Sequence, residues 1–586
     1  MQQTTAGDPD VLVLGAGING AALARELLLN GVSVVVIDSD DIASGTTAWS
    51  TRLVHGGLRY LEYGEFSLVH ESLVERERLC RLAPHLVRPL GFSIPLRGRL
   101  GGLLSAAARM VGYESLARRW AGKRGRGSVA VGCGLTLYDL LAIGSGWPRH
   151  RMARAGAPGL PRVDAARYPF AGLYTDAQMR YPERFTVELL VDARRIAAER
   201  GLRFSVLTRH AARWRADGRV IVGACGQDDG TAVLPRAVVN ATGAWVDRTL
   251  GDLLPVGGRG KHSRLVGGTK GSHLLVDHAP LREALGERGV YAEAADGRPV
   301  FVLPFGPRLV LVGTTDIPFD GDPATAHASA DEIAYLLEAV AGLFPDTAPA
   351  AGDVTQHYCG VRPLPARTAD GRSPAGITRR HMLVPMAGTP QPAWSIVGGK
   401  LTTCRSLAEQ AATEILANLG VAVTASSRSR PLPGADAAFC RRDSVGRDAA
   451  VVLSERGLPL EMARSMVAET TSLFGERAWG ALGLDHDWER EPHAGNPRSV
   501  ILAGTTLPVA AVRFCIEEEW AVTLGDVIER RLMLSFAPDL STDTVRAVAT
   551  EMVRLGAMPA DQVEAEVAAI GRRLGERYGK HIRDRA

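Results

Sequence analysis

The clearest alternation of apolar and polar positions lies near the start of the chain. An apolar run at residues 11–14 is followed by Gly15, Gly17 and Gly20, an alanine- and leucine-rich stretch to Leu29, and a second apolar run at 32–37 that closes on Asp38. This order predicts strand, glycine turn, helix, strand and acid. From Glu65 to Leu82, the apolar residues Phe66, Val69, Leu73, Leu79 and Leu82 recur at helical spacing, and Pro84 and Pro89 end the pattern. Residues 100–120 form a second helical candidate, with Leu100, Leu103, Leu104, Ala107 and Val111 near one face. Beyond a helix ending at Gly201, residues 203–207 read as a strand, 211–214 and 220–224 as a hairpin around Asp217-Gly218, and 237–240 as a further strand. Strand-like runs recur at 271–276, 300–303 and 309–312, and a helix is expected over 331–343, capped by Ser329 or Asp331. Residues 394–397 read as a strand before a helix that opens after Gly398-Gly399 and runs to about Leu419. After Pro431-Leu432-Pro433-Gly434, helical patterns dominate at 448–455, 462–478, 509–520, 545–555 and 561–574. Thr523-Leu524-Gly525-Asp526 resembles a capping box before a helix over 527–534.

The first unit carries chemistry as well as shape. Gly15 permits a tight turn, Gly17 lets the backbone approach a pyrophosphate, and Gly20 lets the helix sit close to the sheet. The helix N-terminus offers unpaired N–H groups to phosphate, Asn19 lies within this turn, and Asp38 stands where it would accept hydrogen bonds from a ribose. The acid suits FAD or NAD equally and disfavours the phosphorylated ribose of NADP. Beyond it, residues 42–47, Ser50, Thr51 and Arg52 precede His55-Gly56-Gly57-Leu58-Arg59-Tyr60. So many hydroxyls and glycines beside a nucleotide fold suggest donors packed against a cofactor.

With 586 residues, 46% of them hydrophobic, the chain supports two or three cooperating domains. A formal net charge of +4 is too slight a bias to argue for nucleic-acid binding. The seven cysteines are scattered without a CxxC pair, so no disulfide framework, structural zinc or other metal site is indicated. The first ten residues lack the features of a signal peptide, and no run has the length and apolarity of a membrane span. A cytoplasmic protein is expected. Arg109, Arg118, Arg119, Lys123, Arg124 and Arg126 give the 100–120 candidate a basic end, which suits contact with anionic lipid.

The run from Ala43 to Glu62, with its HGGLRYLE tract, resembles the FAD-dependent glycerol-3-phosphate dehydrogenases, the quinone-linked respiratory enzymes. Four further tracts are similar to that family, Val191-Asp192-Ala193-Arg194, GVRPL (360–364), GGKLTT (398–403) and residues 514–531, and Ala241-Thr242-Gly243 resembles the ATG turn of two-dinucleotide-fold flavoproteins. The resemblance implies an α/β fold: a two-dinucleotide-binding-type, Rossmann-like FAD domain with a β-rich substrate domain and a helical C-terminal domain. The implied division is FAD domain at 1–95, 186–248 and 351–425, a substrate-domain insertion with membrane-contacting helices at 96–185, substrate domain at 249–350, and helical accessory domain at 430–586. It also implies FAD rather than NAD. Gly15, Gly17, Asn19, Gly20 and Asp38 would face its nucleotide part, and Thr46, Thr47, Ser50, Arg52, His55 and Gly57 the way to the ring. Thr242 and Gly243 would stand on the return strand, with Gly399, Lys400, Leu401 and Thr402 at the pyrimidine edge.

Oxidising a secondary alcohol needs a hydride acceptor, a proton acceptor and a held substrate, and a phosphate ester also needs cations to offset its desolvation. The family's substrate-binding residues carry over onto Arg59, Tyr60, His273, Arg362 and Lys400. By this reading Arg59 and Arg362 bind phosphate or substrate oxygen, Tyr60 donates a hydrogen bond, and Lys400 holds the substrate or lowers the alcohol's pKa. His273 is the first choice as base, with His55 and His357 behind it. The catalytic set is then His273, Arg362 and Lys400. The implied reaction oxidises glycerol 3-phosphate to dihydroxyacetone phosphate and passes electrons to a quinone at the inner face of the cell membrane. Contact with membrane lipid is peripheral, and a homodimer is compatible with the reading. The alternatives are a glycerol-3-phosphate oxidase using oxygen, a flavin oxidoreductase acting on an amine or hydroxy acid, and a flavin-bound sensor without turnover. One departure from the family stands at Arg180-Tyr181-Pro182-Glu183-Arg184 and puts local substrate contacts in question.

Overall fold

The computed structural model describes residues 7–99, 127–227, 229–253, 264–366, 381–435, 445–484 and 501–583, with the backbone alone described at 445–448. The helical candidate at 100–120 and its basic end lie outside the described residues. The opening unit folds as its pattern predicts: strand β1 (Val11–Leu14), helix α1 (Ile18–Leu29) and strand β2 (Val34–Asp38). β1 and β2 pair in parallel, Val11 beside Val34, and β1 is flanked on its other side by Ala237–Asn240. The described strands of this sheet run Met382–Pro385, Ala393–Val397, Ala237–Asn240, β1, β2 and Phe204–Thr208, all parallel except the first. Its strands are apolar at nearly every position because both faces are covered. On one face, α1 and helices Pro182–Arg200 and Cys404–Leu419 contribute to a shared core. On the other, the expected hairpin gains a third strand, and Trp214, Val220, Val222 and Val233 pack on Leu12, Leu14, Val35 and Ile37.

A second sheet is larger. Among the described residues it gathers ten strands from distant parts of the chain, including Leu53–Val54, Val87–Leu96, Phe170–Met179, Thr269–Val276, Pro299–Phe305 and Leu309–Gly313. Helix Ala330–Ala341 covers one of its faces, and its start is a capping box in which the Ser329 and Glu332 side chains each accept from the other's backbone N–H. The GVRPL tract does not return directly to the nucleotide sheet: Val354–Arg362 lies antiparallel along Thr269–Val276, with Tyr358 beside His273.

The C-terminal part is helical, with Leu460–Phe474, Ala510–Glu518, Thr542–Arg554 and Val563–Tyr578 as its longer described helices after Val445–Glu455. Two expectations need correction. The helix expected over 462–478 ends at Phe474, because Gly475 takes a positive φ of 57°. Thr523 and Asp526 do form a reciprocal cap, but it opens a π-helical turn, Asp526–Arg531, and not a regular helix to 534. Successive α-helical side chains diverge by about 100°, whereas here Arg530 and Arg531 both reach Asp41, at 2.5 and 2.8 Å. Among the described residues, no helix is long and apolar enough to cross a membrane, and no cluster of His, Cys, Asp and Glu could hold a metal ion.

Candidate active site

The three glycines of the first turn answer to different neighbours. Gly15 has a φ of 101°, and a Cβ there would lie 2.7 Å from Ala241 O. A Cβ on Gly20 would collide with Gly15 O, so helix and turn need both glycines for their own packing. Gly17 differs. Its backbone is ordinary extended chain, and a Cβ there would meet only Thr47 Oγ1, at 3.5 Å. The protein's own atoms therefore do not demand glycine at this position, whereas close approach of a ligand to the start of α1 would. Beside it, Asp38 accepts Ala16 N–H at 2.7 Å and Asp40 N–H at 2.9 Å, while Thr47 Oγ1 accepts Ile18 N–H at 3.1 Å. Asn19 Oδ1 is buried without a protein donor, and Asn19 Nδ2 would lie 3.0 Å from a Cβ on Gly399.

The hydroxyl-rich run joins this turn to the large sheet. Thr46 donates to Val361 O at 2.9 Å, Tyr358 donates to Ser50 O at 2.9 Å, and Thr51 Oγ1 lies 2.9 Å from His273 Nε2. From the other side, His55 N–H donates to Thr402 Oγ1 at 3.1 Å. Lys400 Nζ sits over the Tyr60 ring, 3.9 Å from its centroid, and a Cβ on Gly57, whose φ is 76°, would run into that ring. Arg59 stands by Tyr63, its guanidinium 6.0 Å from the ring centre. Thr242, ahead of Gly243 on the return strand, is tied to Asn240 Oδ1 at 2.7 Å. Arg362 is held by Asp316 at 2.9 Å, Thr314 Oγ1 at 2.9 Å and Thr315 O at 3.1 Å. Leu401 packs against the core of the nucleotide sheet.

His273 is 2% exposed and stacks on Tyr358 with ring centres 4.8 Å apart. Burial first, and then the charges of Arg362 and Arg52, hold its pKa well below the usual histidine range. The ring is therefore neutral at physiological pH, and its surroundings oppose keeping a proton on it. That environment suits a hydrogen-bonding partner better than a proton store. His357, the outside candidate, packs against Gly579 of the C-terminal part, and burial lowers its pKa as well.

Comparison with known proteins places the chain in a family. A family model described as FAD dependent oxidoreductase matches residues 10–404. The chain belongs to that family. It is 34% identical over 545 residues to glycerol-3-phosphate dehydrogenase of Synechocystis sp., covering 90% of this chain and 89% of that protein. It is 31% identical over 536 residues to D-erythritol 1-phosphate dehydrogenase of Brucella abortus, covering 89% and 93%. Its fold matches that of glycerol-3-phosphate dehydrogenase from Bacillus halodurans, solved in complex with FAD, with a TM-score of 0.68 over 98% of this chain and 96% of that one, at 22% identity.

FAD is therefore the cofactor of this oxidoreductase, and the first turn fits it. A pyrophosphate would meet no side chain at Gly17, the orphaned Asn19 Oδ1 could accept from a ligand hydroxyl or N–H, and Asp38 would hold a ribose. Burial pushes the Asp38 carboxyl up to about 6. Ribose hydroxyls donating to the carboxylate would favour its ionised form, so FAD held there would lower this pKa. Affinity should then fall as pH drops through about 6 and level off below the pKa of the bound state. Fluorescence of released FAD between pH 7.5 and about 5 measures this, and Asp38→Asn should flatten the profile.

Arg52 requires a correction. Its side chain does not face a cofactor: the guanidinium is buried against Glu183 at 2.6 and 2.9 Å, bonds Ala48 O and Arg180 O, and lies over the Phe536 ring at 4.5 Å. The 180–184 departure has the same explanation. Glu183 is the partner of Arg52, Tyr181 packs on Phe305 and Phe536, and Arg184 pairs with Glu519. These residues join domains and need not touch substrate. Sequence reasoning gives no role to Asp316, which holds Arg362, and reads Thr51 only as one of the hydroxyls near a cofactor, whereas its Oγ1 meets His273. No local spacing links Asp316 to an arginine 46 positions later.

Proposed function

We propose that this chain oxidises sn-glycerol 3-phosphate to dihydroxyacetone phosphate and delivers the electrons to a membrane quinone, acting at the cytoplasmic face of the membrane as a peripheral protein. The observation that supports this reading is how the polar groups are held: Arg362 on its Asp316 and Thr314 mount, Lys400 over Tyr60, and His273 against Thr51 of the hydroxyl-rich run, in tracts that would also serve FAD. When bound, FAD supplies the acceptor for the hydride that leaves the carbinol carbon. The chain's own residues bind and orient. Arg362 and Arg59 present guanidinium groups to the phosphate dianion, where planar donors suit oxyanions. Lys400 places positive charge beside the alcohol oxygen, and neutral His273 accepts the hydroxyl proton as the hydride leaves and passes it on, since its surroundings oppose keeping it. The Synechocystis and Brucella relatives act, by name, on polyol phosphates of two lengths, which favours a phosphate ester over an amine.

The direct test is anaerobic absorbance of the purified protein during addition of sn-glycerol 3-phosphate, with D-erythritol 1-phosphate, glycerol and lactate for comparison. Bleaching by glycerol 3-phosphate alone supports the reading; a spectrum that persists removes the substrate. Arg362→Ala should keep FAD and lose kcat/KM by about 10²–10³-fold, or ~3–4 kcal/mol, because it removes the phosphate's partner and leaves Asp316 unpaired. Unchanged kcat/KM would remove Arg362 from the site.

A further inference from the structure

The first turn of helix Ala330–Ala341 holds more than a cap. Glu332, in that turn, is 3% exposed and faces the large sheet. The capping box uses its Oε2, which accepts Ser329 N–H at 3.0 Å. The other contacts reach away from the helix. Oε2 also accepts from Lys270 Nζ at 2.7 Å, and Oε1 accepts from Thr315 Oγ1 at 2.7 Å and from Ser272 Oγ at 2.9 Å. Thr315 Oγ1 in turn accepts Ser272 N–H at 2.8 Å, and both Ser272 and Thr315 are buried.

A buried carboxylate is costly unless its oxygens are satisfied. Burial alone would raise the Glu332 pKa, but hydrogen bonds from Lys270, Thr315, Ser329 and Ser272 hold it at about 2. The group is therefore ionised at any working pH and accepts without donating. Thr315 is fixed in both of its roles as a result: its one proton goes to Glu332, and its oxygen takes the Ser272 N–H.

A helix cap needs none of this. What the network fixes is the turn at 314–316, pinned through Ser272 to strand Thr269–Val276. That turn is the mount of Arg362. Thr314 Oγ1 and the Asp316 carboxylate, on either side of Thr315, each accept from the guanidinium at 2.9 Å, and Thr315 O accepts from it at 3.1 Å. A planar fork of donors is aimed by the positions of its acceptors, so whatever sets the turn sets the arginine.

We propose that Glu332 is a positioning residue of the active site: through Thr315 it holds the 314–316 turn, and the turn aims Arg362 at the phosphate of the substrate. The assignment rests on the proposed reading of Arg362 and adds the buried group that orients it.

The test uses the FAD-loaded full chain and reads the second-order rate constant of anaerobic bleaching by sn-glycerol 3-phosphate. Glu332→Gln and Thr315→Val should keep FAD and lose about tenfold or more of that rate constant through weaker substrate binding, because a small misplacement of a binding group is expensive. Thr315→Ser keeps the hydroxyl and should recover most of the loss. Ser329→Ala removes half of the cap but no bond to the turn, so it should lower the thermal midpoint and bleach at the wild-type rate. In an Arg362→Ala background, Glu332→Gln should cost less than about twofold, since no guanidinium is left to aim. A wild-type rate constant in Glu332→Gln, a full loss in the Arg362→Ala background, or Thr315→Ser as slow as Thr315→Val overturns the proposal. If Glu332→Gln does not fold, the two Thr315 variants decide. Failure of wild type to bleach removes the substrate reading, and a crystal structure of Thr315→Val then judges the positioning by itself: an Arg362 displaced from Asp316 and from the carbonyl of residue 315 supports it, and an unmoved Arg362 overturns it.

Discussion

Gly17→Val is expected to give folded protein that purifies without FAD. The backbone at Gly17, φ −72° and ψ 177°, is open to any residue, and its Cβ would meet only one hydroxyl at van der Waals distance. The folded chain should therefore tolerate the valine. A pyrophosphate approaching the N-terminus of α1 would not, because it needs backbone N–H groups at hydrogen-bond distance. Weakening of at least about 100-fold, or ~3 kcal/mol, is expected. Gly20→Ala provides the contrast, since its Cβ would collide with the carbonyl of Gly15 and the turn itself must give way. The ratio of flavin to protein absorbance, measured beside the thermal unfolding curve, separates the two cases. Full FAD occupancy in Gly17→Val would mean that the nucleotide lies elsewhere.

The second large effect is on stability. Glu519 has no exposed side-chain surface and pairs with Arg184, with Nη2 at 2.7 Å from Oε1, and with Arg477 at 2.6 Å. A third arginine, Arg531, donates to the Glu519 backbone carbonyl at 2.9 Å. Removing one partner of a buried pair leaves charge without compensation, so Glu519→Ala should cost ~3–5 kcal/mol. The loss should appear in the first transition of a urea or thermal unfolding curve, since a chain of several domains need not unfold in one step. A loss below about 1 kcal/mol would show that the pairs contribute little. Acid should act through the same group. Burial alone would raise the Glu519 pKa, but the arginines hold it at about 2. Its contribution is fully present above the unfolded-state value near 4.5 and is lost as pH falls toward 2.

This arrangement also shows what a linear reading can reach. The glycine turn, Asp38 and the alternating runs report on neighbours a few positions away, and α1, β1, β2 and the hairpin at 210–224 appear where those patterns place them. Arg362 and Lys400 are visible as cations inside glycine-bearing tracts. Arg52 is misread for the same reason: it stands in such a tract, and nothing local shows that Glu183, 131 positions later, takes its guanidinium. The π-helical turn is equally hidden, because Arg530 and Arg531 converge on Asp41, which lies 489 and 490 positions earlier.

Taken alone, then, the sequence determined the nucleotide unit, the broad order of strands and helices, and the cations available for an anionic substrate. Backbone propensity and apolar periodicity act over a few residues, and those features need no more. Only the tertiary structure decided which arginines face a site and which lock domains together. Burial makes an unpaired charge costly, so each arginine goes to whichever carboxylate packing brings within reach, whatever its distance along the chain. The 180–184 run, read along the chain, departs from the family; in the fold, Glu183 closes on Arg52 and Arg184 on Glu519, joining the cofactor loop and the C-terminal helices to helix Pro182–Arg200.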